Sequence, residues 1–437
     1  MRNLFSSLHL PAKGLLRNLQ ADETGKNGKE EAGITSLPCE VLIKILLLLP
    51  VESLVQLKDV CHYLHRLITS QYFARLHLER SRSRSGFLCN TLPSHNPVSN
   101  FIFGERYHAS FITFDFTDQV TKVNSHNLGL EYCLHALVNK YRIWKYKMDV
   151  LVRDSCDGLL LVEITGYCDL LERTPLLICN SVTRSYQLLP RPGKVHMSSF
   201  YGKIVYDSSV RKYKVIGFIF KRETPPRCFI LQLSKPRGQL TSWKEMRVPT
   251  LPPSSLREFG ASVFVEGKVS CLMRQYNREE HVMEQGLLSV NVTTEEVTYT
   301  GPIQRAVSIW DFEFSSGNTL YQTYYRENKI EIWVLEDFDS LVWTKHHVIE
   351  TTCQDNFRTI YINAFMMRPI ALLDGDDKLI FHGRDEMCVY HKSSKEWEGL
   401  EVDFKPFAPF HHSSMAHDGY YVPHVNSLIS WNDPQAS

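Results

Sequence analysis

The chain has 437 residues, 43% of them hydrophobic, and its 49 Lys and Arg residues are matched by 48 Asp and Glu for a net charge of +1. That length and apolar content allow one small and one large domain, each with its own core. The even charge excludes a general binder of nucleic acid or of membrane surfaces, because neutralising phosphates takes a marked basic excess.

The first 33 residues predict a flexible lead. Ala21 to Glu31 is polar and Gly-containing and has little to bury, and Pro11, Lys13 and Arg17 interrupt any signal-peptide core. The pattern then changes abruptly. Leu37, Val41, Leu42, Ile45, Leu46 and Leu49 recur at helical spacing, with Pro38 suited to a first turn. Pro50 stops that helix or starts the next, whose stripe is Leu54, Leu57, Val60, Cys61, Leu64, Leu67 and Ile68. Two or three helices in roughly 45 residues sit near the lower size limit for independent folding. Leu47 and Leu48 widen the first stripe beyond what mutual packing consumes, and surplus apolar surface on a small helical unit calls for a partner. The oily run Val41 to Leu49 is broken by Lys44 and is far short of the ~20 residues that cross a bilayer.

After Arg80-Ser-Arg82-Ser-Arg84, read as a solvated linker, short β-branched and aromatic runs alternate with Gly, Asp, Asn, Ser and Pro turns. Examples are Phe111 to Phe116, Leu159 to Ile164, Val215 to Phe220 and Ile330 to Leu335; only Glu131 to Val138 has helical character. A Gly heads an apolar strand six times, at Gly158, Gly202, Gly267, Gly317, Gly375 and Gly419, at intervals of 44, 65, 50, 58 and 44 residues. Kelch-type propeller blades run ~50 residues. A second recurrence places a strand, a small polar turn and a further strand at Ile178 to Tyr186, Leu288 to Val297 and Val389 to Trp397, read as second and third strands of a unit. One supersecondary unit repeated about six times predicts a propeller; a long sandwich or stacked barrels is the alternative. The fold class is thus α+β by domain: a lead over 1–33, a helical domain over 34–79, a linker over 80–100, an all-β, kelch-like, six-bladed propeller over 101–432 and a tail over 433–437.

Candidate chemistry is sparse. The eleven cysteines are scattered without a Cys-x-x-Cys pair, which argues against a disulfide framework or zinc knuckle and for the cytoplasm or nucleus. His411, His412, His417 and His424 lack the spacing of a metal site, and Asp374, Asp376 and Asp377 lack the ligand pattern of a calcium loop and read as a turn. Trp243, Trp310, Trp333, Trp343 and Trp397 read as packing between blades, with one or two open to lining a binding face. The sequon Asn291-Val-Thr293 reads as a chance match. No nucleophile elbow, zinc-protease helix, P-loop or dinucleotide fingerprint is present. The adjacent Glu295 and Glu296, read on a strand, would face opposite ways.

The block Leu37 to Cys61 resembles the F-box. The likeness rests on Leu37-Pro38, the doublets Val41-Leu42 and Ile45-Leu46, the break Leu49-Pro50-Val51 and the segment Lys58, Val60, Cys61, and it continues through Leu67-Ile68 to Phe73. It departs at Leu64, where many relatives carry Trp, although Leu still fills an apolar slot. The remainder resembles the F-box-associated domain of the large plant F-box family, related to kelch-like propellers. That likeness rests on Ser155 to Leu160, Cys179-Asn180 to Leu189-Pro190, Tyr206-Asp207 with Tyr213-Lys214-Val215, Ile332 to Leu335 with Trp343-Thr344, and Asn426 to Ile429. Ser181 and Ser208 stand where relatives carry Pro, which keeps the turn chemistry.

The resemblance implies a non-catalytic substrate receptor of a Skp–cullin–F-box ubiquitin ligase. Leu37, Pro38, Val41, Leu42, Ile45, Leu46, Leu49, Pro50, Leu54, Cys61 and Leu64 would hold a Skp-type adaptor and, through it, a cullin. The propeller would hold an unknown target protein, with no cofactor, metal, membrane or nucleic acid involved. A propeller enzyme and a non-ligase scaffold are the competing readings.

Overall fold

The computed structural model describes residues 37–82, 86–92, 108–115, 122–128, 130, 148–166, 176–190, 192, 200–219, 225–233, 242–251, 257–277, 282–303, 312–326, 329–350, 368–373, 377–382, 387–400, 405–406 and 421–431. The expected lead, the Glu131–Val138 helix and Arg84, Trp310, Asp374, Asp376, His411, His412 and His417 lie outside these.

The helical domain holds four short helices: α1 (Cys39–Leu46), α2 (Val51–Leu57), α3 (His62–Ile68) and α4 (Gln71–Ser81). Pro38 and Pro50 stand at the N-caps of α1 and α2, where a missing N–H costs nothing. Ser70 caps α4 by accepting from the Phe73 N–H at 3.2 Å, a standard way to satisfy an orphan donor. Leu42, Leu46, Leu54, Leu64, Leu67, Ile68 and Phe73 form the core. Leu64, the departure from the family pattern, is fully enclosed in it.

The expected linker is shorter than 80–100. α4 runs to Ser81 and a strand begins at Gly86, so the propeller starts well before residue 101. The Arg-Ser repeat masked this boundary, because a strand of seven residues such as Gly86–Leu92 is identified by its partners more than by its own pattern.

Blade one contains β1 (Gly86–Leu92), β2 (His108–Asp115) and β3 (Lys122–Asn127). Blade two is β4 (Met148–Cys156), β5 (Leu159–Gly166), β6 (Leu176–Asn180) and β7 (Ser185–Leu188). Blade three is β8 (Phe200–Asp207), β9 (Lys212–Ile219), β10 (Arg227–Gln232) and β11 (Lys244–Met246). Blade four is β12 (Arg257–Val265), β13 (Lys268–Asn277), β14 (Val282–Asn291) and β15 (Val297–Ile303), and blade five is β16 (Phe312–Ser316), β17 (Thr319–Arg326), β18 (Lys329–Asp337) and β19 (Val342–Glu350). Blade six is β20 (Arg368–Leu373), β21 (Lys378–His382), β22 (Met387–His391) and β23 (Glu396–Leu400). The chain then returns to blade one, where β24 (Lys405–Pro406) and β25 (Tyr421–His424) both pair with β1. All pairings are antiparallel, and the six sheets make the expected six-bladed propeller.

Six apolar clusters fill the six gaps between neighbouring blades. Leu159 and Leu161 face blade three, while Leu160 and Val162 between them face blade one. A strand buried on both faces reads as a continuous oily run and not as an alternation, which is why Leu159 to Val162 carries no polar residue. Further clusters join blades three and four, four and five, five and six and six and one. Blades four and five are also tied by a buried ion pair, Arg274 to Glu313 at 2.7 Å, with Gln285 donating to the same carboxylate. Trp397 packs on Phe381 and Tyr390 between blades, and Trp243 donates to the Pro190 carbonyl, the packing role expected of these side chains.

The Gly markers and polar turns sort differently from their sequence reading. Gly158, Gly267 and Gly317 lie in hairpin turns with positive φ, but Gly202 lies inside β8. There a Cβ would come within 2.4 Å of Leu161 Cδ2, so that Gly serves close blade packing. The polar turns join third strands to fourth, not second to third. In two of them the first residue caps the turn: Asn180 Oδ1 accepts from Val182 and Thr183, and Asn291 Oδ1 accepts from Thr293 and Thr294. Asn291 of the sequon is thereby engaged within its own turn, and Glu295 lies in the same turn at φ 61° and pairs with Lys244, not on a strand. The turns at Ser181 and Ser208 form without Pro because Asn180 and Asp207 supply the acceptors.

Gly158 combines φ +86° with a Cβ position 2.2 Å from Ser427 Oγ, whereas Gly267 has φ +76° and open space around it. Gly158→Ala is expected to lower stability by more than the ~1 kcal/mol that a left-handed Ala alone costs. Thermal unfolding of both Ala variants checks this: equal losses would mean the Ser427 contact is unimportant.

Candidate functional site

The eleven residues expected to hold an adaptor fall into two groups. Leu42, Leu46, Leu54 and Leu64 are buried in the helical core, and Leu49 and Cys61 are half-buried. Leu37, Pro38, Val41, Ile45 and Pro50 are exposed. Two exposed apolar residues join the second group that were not singled out as contacts, Leu48 and Val60. Leu37 (38% exposed) just before α1, Val41 (42%) and Ile45 (41%) on it, and Leu48 (55%) in the turn after it follow one another at helical spacing, while Leu42, Ile43 and Leu46 line the other side of the helix. Helix periodicity places residues four apart on one face, so the sequence held this division. The two stripes merge in Leu-rich text because both faces are apolar. A row of large exposed side chains beside a complete core makes this side of α1 the candidate docking face.

The helical domain does not hang free. Ala74 and Leu78 of α4 are buried in the cluster between blades two and three. Arg75 donates to the Tyr206 hydroxyl at 2.7 Å with its guanidinium 5.2 Å from the ring centre. Arg82, expected to be solvated, pairs with Asp157 at 3.3 Å. These contacts fix which face of the propeller the helices occupy. The turns Asp157-Gly158, Ser181 to Arg184 and Ser208 to Arg211 join first to second or third to fourth strands, so they lie on that one face. The chain enters β1 and leaves β25 there as well. By strand direction, the returns from second to third strand and from blade to blade belong to the opposite face.

One constellation has the order of a nucleophilic triad. Ser155 Oγ lies 2.7 Å from His424 Nδ1, and His424 Nε2 lies 3.1 Å from Asn426 Oδ1. Asn426 Nδ2 donates to Glu52 Oε1, which leaves Oδ1 as the acceptor for a His424 N–H, so Ser155 donates to Nδ1. Asn cannot stabilise an imidazolium as a carboxylate does, and burial pushes His424 down to about 4 against the weaker opposing pull of Asn426. A base that weak suits poorly a proton transfer at neutral pH. The chain of contacts instead clamps β4 to β25. Among the described residues no group of three or more His, Cys, Asp and Glu side chains could hold a metal ion. Asp377, expected in a turn, accepts from the Ser393 N–H. No helix among the described residues is long and apolar enough to cross a membrane.

Comparison with known proteins bears on both parts. The profile of the F-box-like domain matches residues 34–79, and that of the F-box associated beta propeller domain matches residues 111–368. An Arabidopsis thaliana protein bearing an F-box name is 23% identical over 354 residues, covering 79% of this chain and 86% of that one. Among solved structures, a Penicillium chrysogenum alpha-L-arabinanase shares 9% identity with a TM-score of 0.38, over 64% of this chain and 93% of its own. A Pseudomonas aeruginosa periplasmic gluconolactonase shares 10% with a TM-score of 0.32, over 72% and 82%. Likenesses at these scores carry nothing about activity.

Burial also pushes His382 down to about 4, with Arg368 adding to the effect. Imidazoles held neutral in the folded protein are protonated first in the unfolded chain. Stability is therefore fully present above the ordinary value of 6.5 and falls as pH drops toward 4, by up to about 3 kcal/mol per group. Denaturant unfolding at pH 7 and pH 4.5 should show this loss, and His424→Gln should reduce it. An unchanged difference in the variant would remove His424 as a contributor.

Proposed function

Because the chain belongs to the family of F-box proteins with an F-box associated β-propeller domain, we propose that it is the substrate-receptor subunit of a Skp–cullin–F-box ubiquitin ligase. The observation that carries the reading is the exposed row Leu37, Val41, Ile45 and Leu48 on a helix whose other face already completes a core. Laid in an apolar groove of a Skp-type adaptor, such a row follows the helix-in-groove mode of recognition. Each large side chain buried there contributes ~1.5–3 kcal/mol, offset in part by the cost of association. The adaptor in turn brings the cullin. Leu42, Leu46, Leu54 and Leu64 act behind this face, by holding α1 rigid.

The target protein is held by the face of the propeller opposite the helices. Among the described residues the contacts of the helical domain lie on the other face, and connections between strands can vary without disturbing the blades. The blades are kelch-like in period, and the subunit positions its target without covalent chemistry of its own. Cys39, Cys61, Cys156, Cys179, Cys228, Cys271 and Cys388 stand outside disulfides, which suits the reducing cytoplasm or nucleus that this role requires.

The division of residues sets the test. Leu46→Asp would put a carboxylate in the core and report unfolding, not docking. Val41→Asp combined with Ile45→Asp changes exposed positions, which cost little stability, and is expected to abolish capture of a recombinant Skp-type adaptor while the thermal unfolding profile stays unchanged. Leu46→Ala should lower stability by ~2–5 kcal/mol. Undiminished capture by the double Asp variant would overturn the adaptor reading and leave the scaffold reading in its place.

A further inference from the structure

After β25 the chain runs back beneath the helical domain. Asn426 donates to Glu52 of α2 at 3.0 Å. Ser427 donates through its hydroxyl to the Asp157 carbonyl, in the turn whose Gly158 leaves room for it. Asn180 uses both amide hydrogens on this segment, reaching the carbonyls of Ser427 and Ile429 at 3.0 Å each. Trp431 ends the described chain by donating to Gln187 at 2.6 Å. Leu428 packs against both the helical core and the cluster between blades two and three, and Ile429 and Trp431 are buried in that cluster beside Ala74 and Leu78 of α4.

We propose that Asn426–Trp431 is a strap that fixes the angle between the helical domain and the propeller, with Asn180 and Gln187 as its positioning residues. Domains joined by short contacts move relative to one another unless a large apolar interface stops them. Without the strap, the contacts that α4 and its C-cap make with the blades, among the described residues, are the apolar packing of Ala74 and Leu78, the Arg75–Tyr206 contact and an ion pair, Arg82–Asp157, whose Arg is mostly exposed. Exposed pairs hold little. The strap supplies three large apolar side chains to the same junction and is itself held by hydrogen bonds to blade two. A ring closed by β25 alone would remain a propeller; a ring with the strap in place also aims its free face in one direction relative to α1. On the receptor reading, from which this functional consequence follows, that direction sets where the target stands relative to the adaptor. The geometric claim does not depend on that reading.

Distance measurement between labels attached through unnatural amino acids at the exposed positions Glu40 on α1 and Ser394 on the rim of blade six tests the strap in the full chain. The intact protein is expected to give one narrow distance. Truncation after Val425 should lose it in favour of a broad distribution. Asn180→Asp keeps the Oδ1 that caps its own turn and replaces the two donated hydrogen bonds by repulsion from carbonyls, so it should produce the same loss with the propeller still folded by circular dichroism. If the truncated chain does not fold, the Asn180→Asp result decides alone. A distance as narrow in the folded variant as in the intact chain would overturn the strap. Adaptor capture is read separately: its failure in the intact chain would sink the receptor reading and leave the strap standing, and its retention in Asn180→Asp is expected, because α1 keeps its exposed row.

Discussion

Ring closure is the constraint on which everything else in this molecule depends. Each blade buries both of its faces against neighbours, so five blades without a sixth would leave two apolar sheet faces in water. Blade one is completed because Tyr421–His424, near the end of the chain, pairs with Gly86–Cys89 and puts Val422 into the gap toward blade two, while Ile112 of β2 fills the gap toward blade six. The closing strand is also held sideways, through His424 to Ser155 and by the edge-on contact of His424 with Phe111. Blade one is thus assembled from both ends of the domain, and no part of it can be complete before the last strand arrives.

Closure also decides where the helical domain sits. β1 enters and β25 leaves on the same face, so the helices before β1 and the segment after β25 are forced into one neighbourhood. The residues that meet there are suited to it: α4 offers small and apolar side chains at Ala74 and Leu78, and the segment after β25 offers Leu428, Ile429 and Trp431. Asp157 gathers the polar contacts, taking Arg82 and the Tyr213 hydroxyl on its carboxylate and the Ser427 hydroxyl on its carbonyl. The junction is therefore built from three stretches far apart in sequence.

The candidate docking face shows how closely legible and illegible features lie in one helix. Leu37, Val41, Ile45 and Leu48 differ from Leu42 and Leu46 only by phase. The sequence displays two apolar stripes on α1 but not which of them meets α2, α3 and α4. Burial of Leu42 and Leu46 assigns the inner stripe, and the outer one follows. That assignment matters for experiment, since the same substitution at Leu46 and at Ile45 would report on two different properties. The Leu64 position tells the same story in reverse: a departure in the docking motif turns out to fill the core.

The sequence alone determined the two domains and their fold classes, because each rests on local regularities: helical spacing over Leu37–Ile68 and β-runs bounded by turn residues; the recurring Gly gave a blade-like period, and the sheet topology gave the count of six. It also carried the turn chemistry, since Asn180, Asp207 and Asn291 cap turns within a few residues of themselves. The tertiary structure decided what depends on partners distant in sequence. The strand Gly86–Leu92 emerged from a supposed linker because its partners lie at Tyr421–His424. Gly202 proved to be a packing site because Leu161 stands against it, and Ser155, His424 and Asn426, distant in sequence, meet in a chain of contacts that ties β4 to β25. Local pattern fixes what a segment can be; which of its faces is covered, and by what, is settled only when the ring closes.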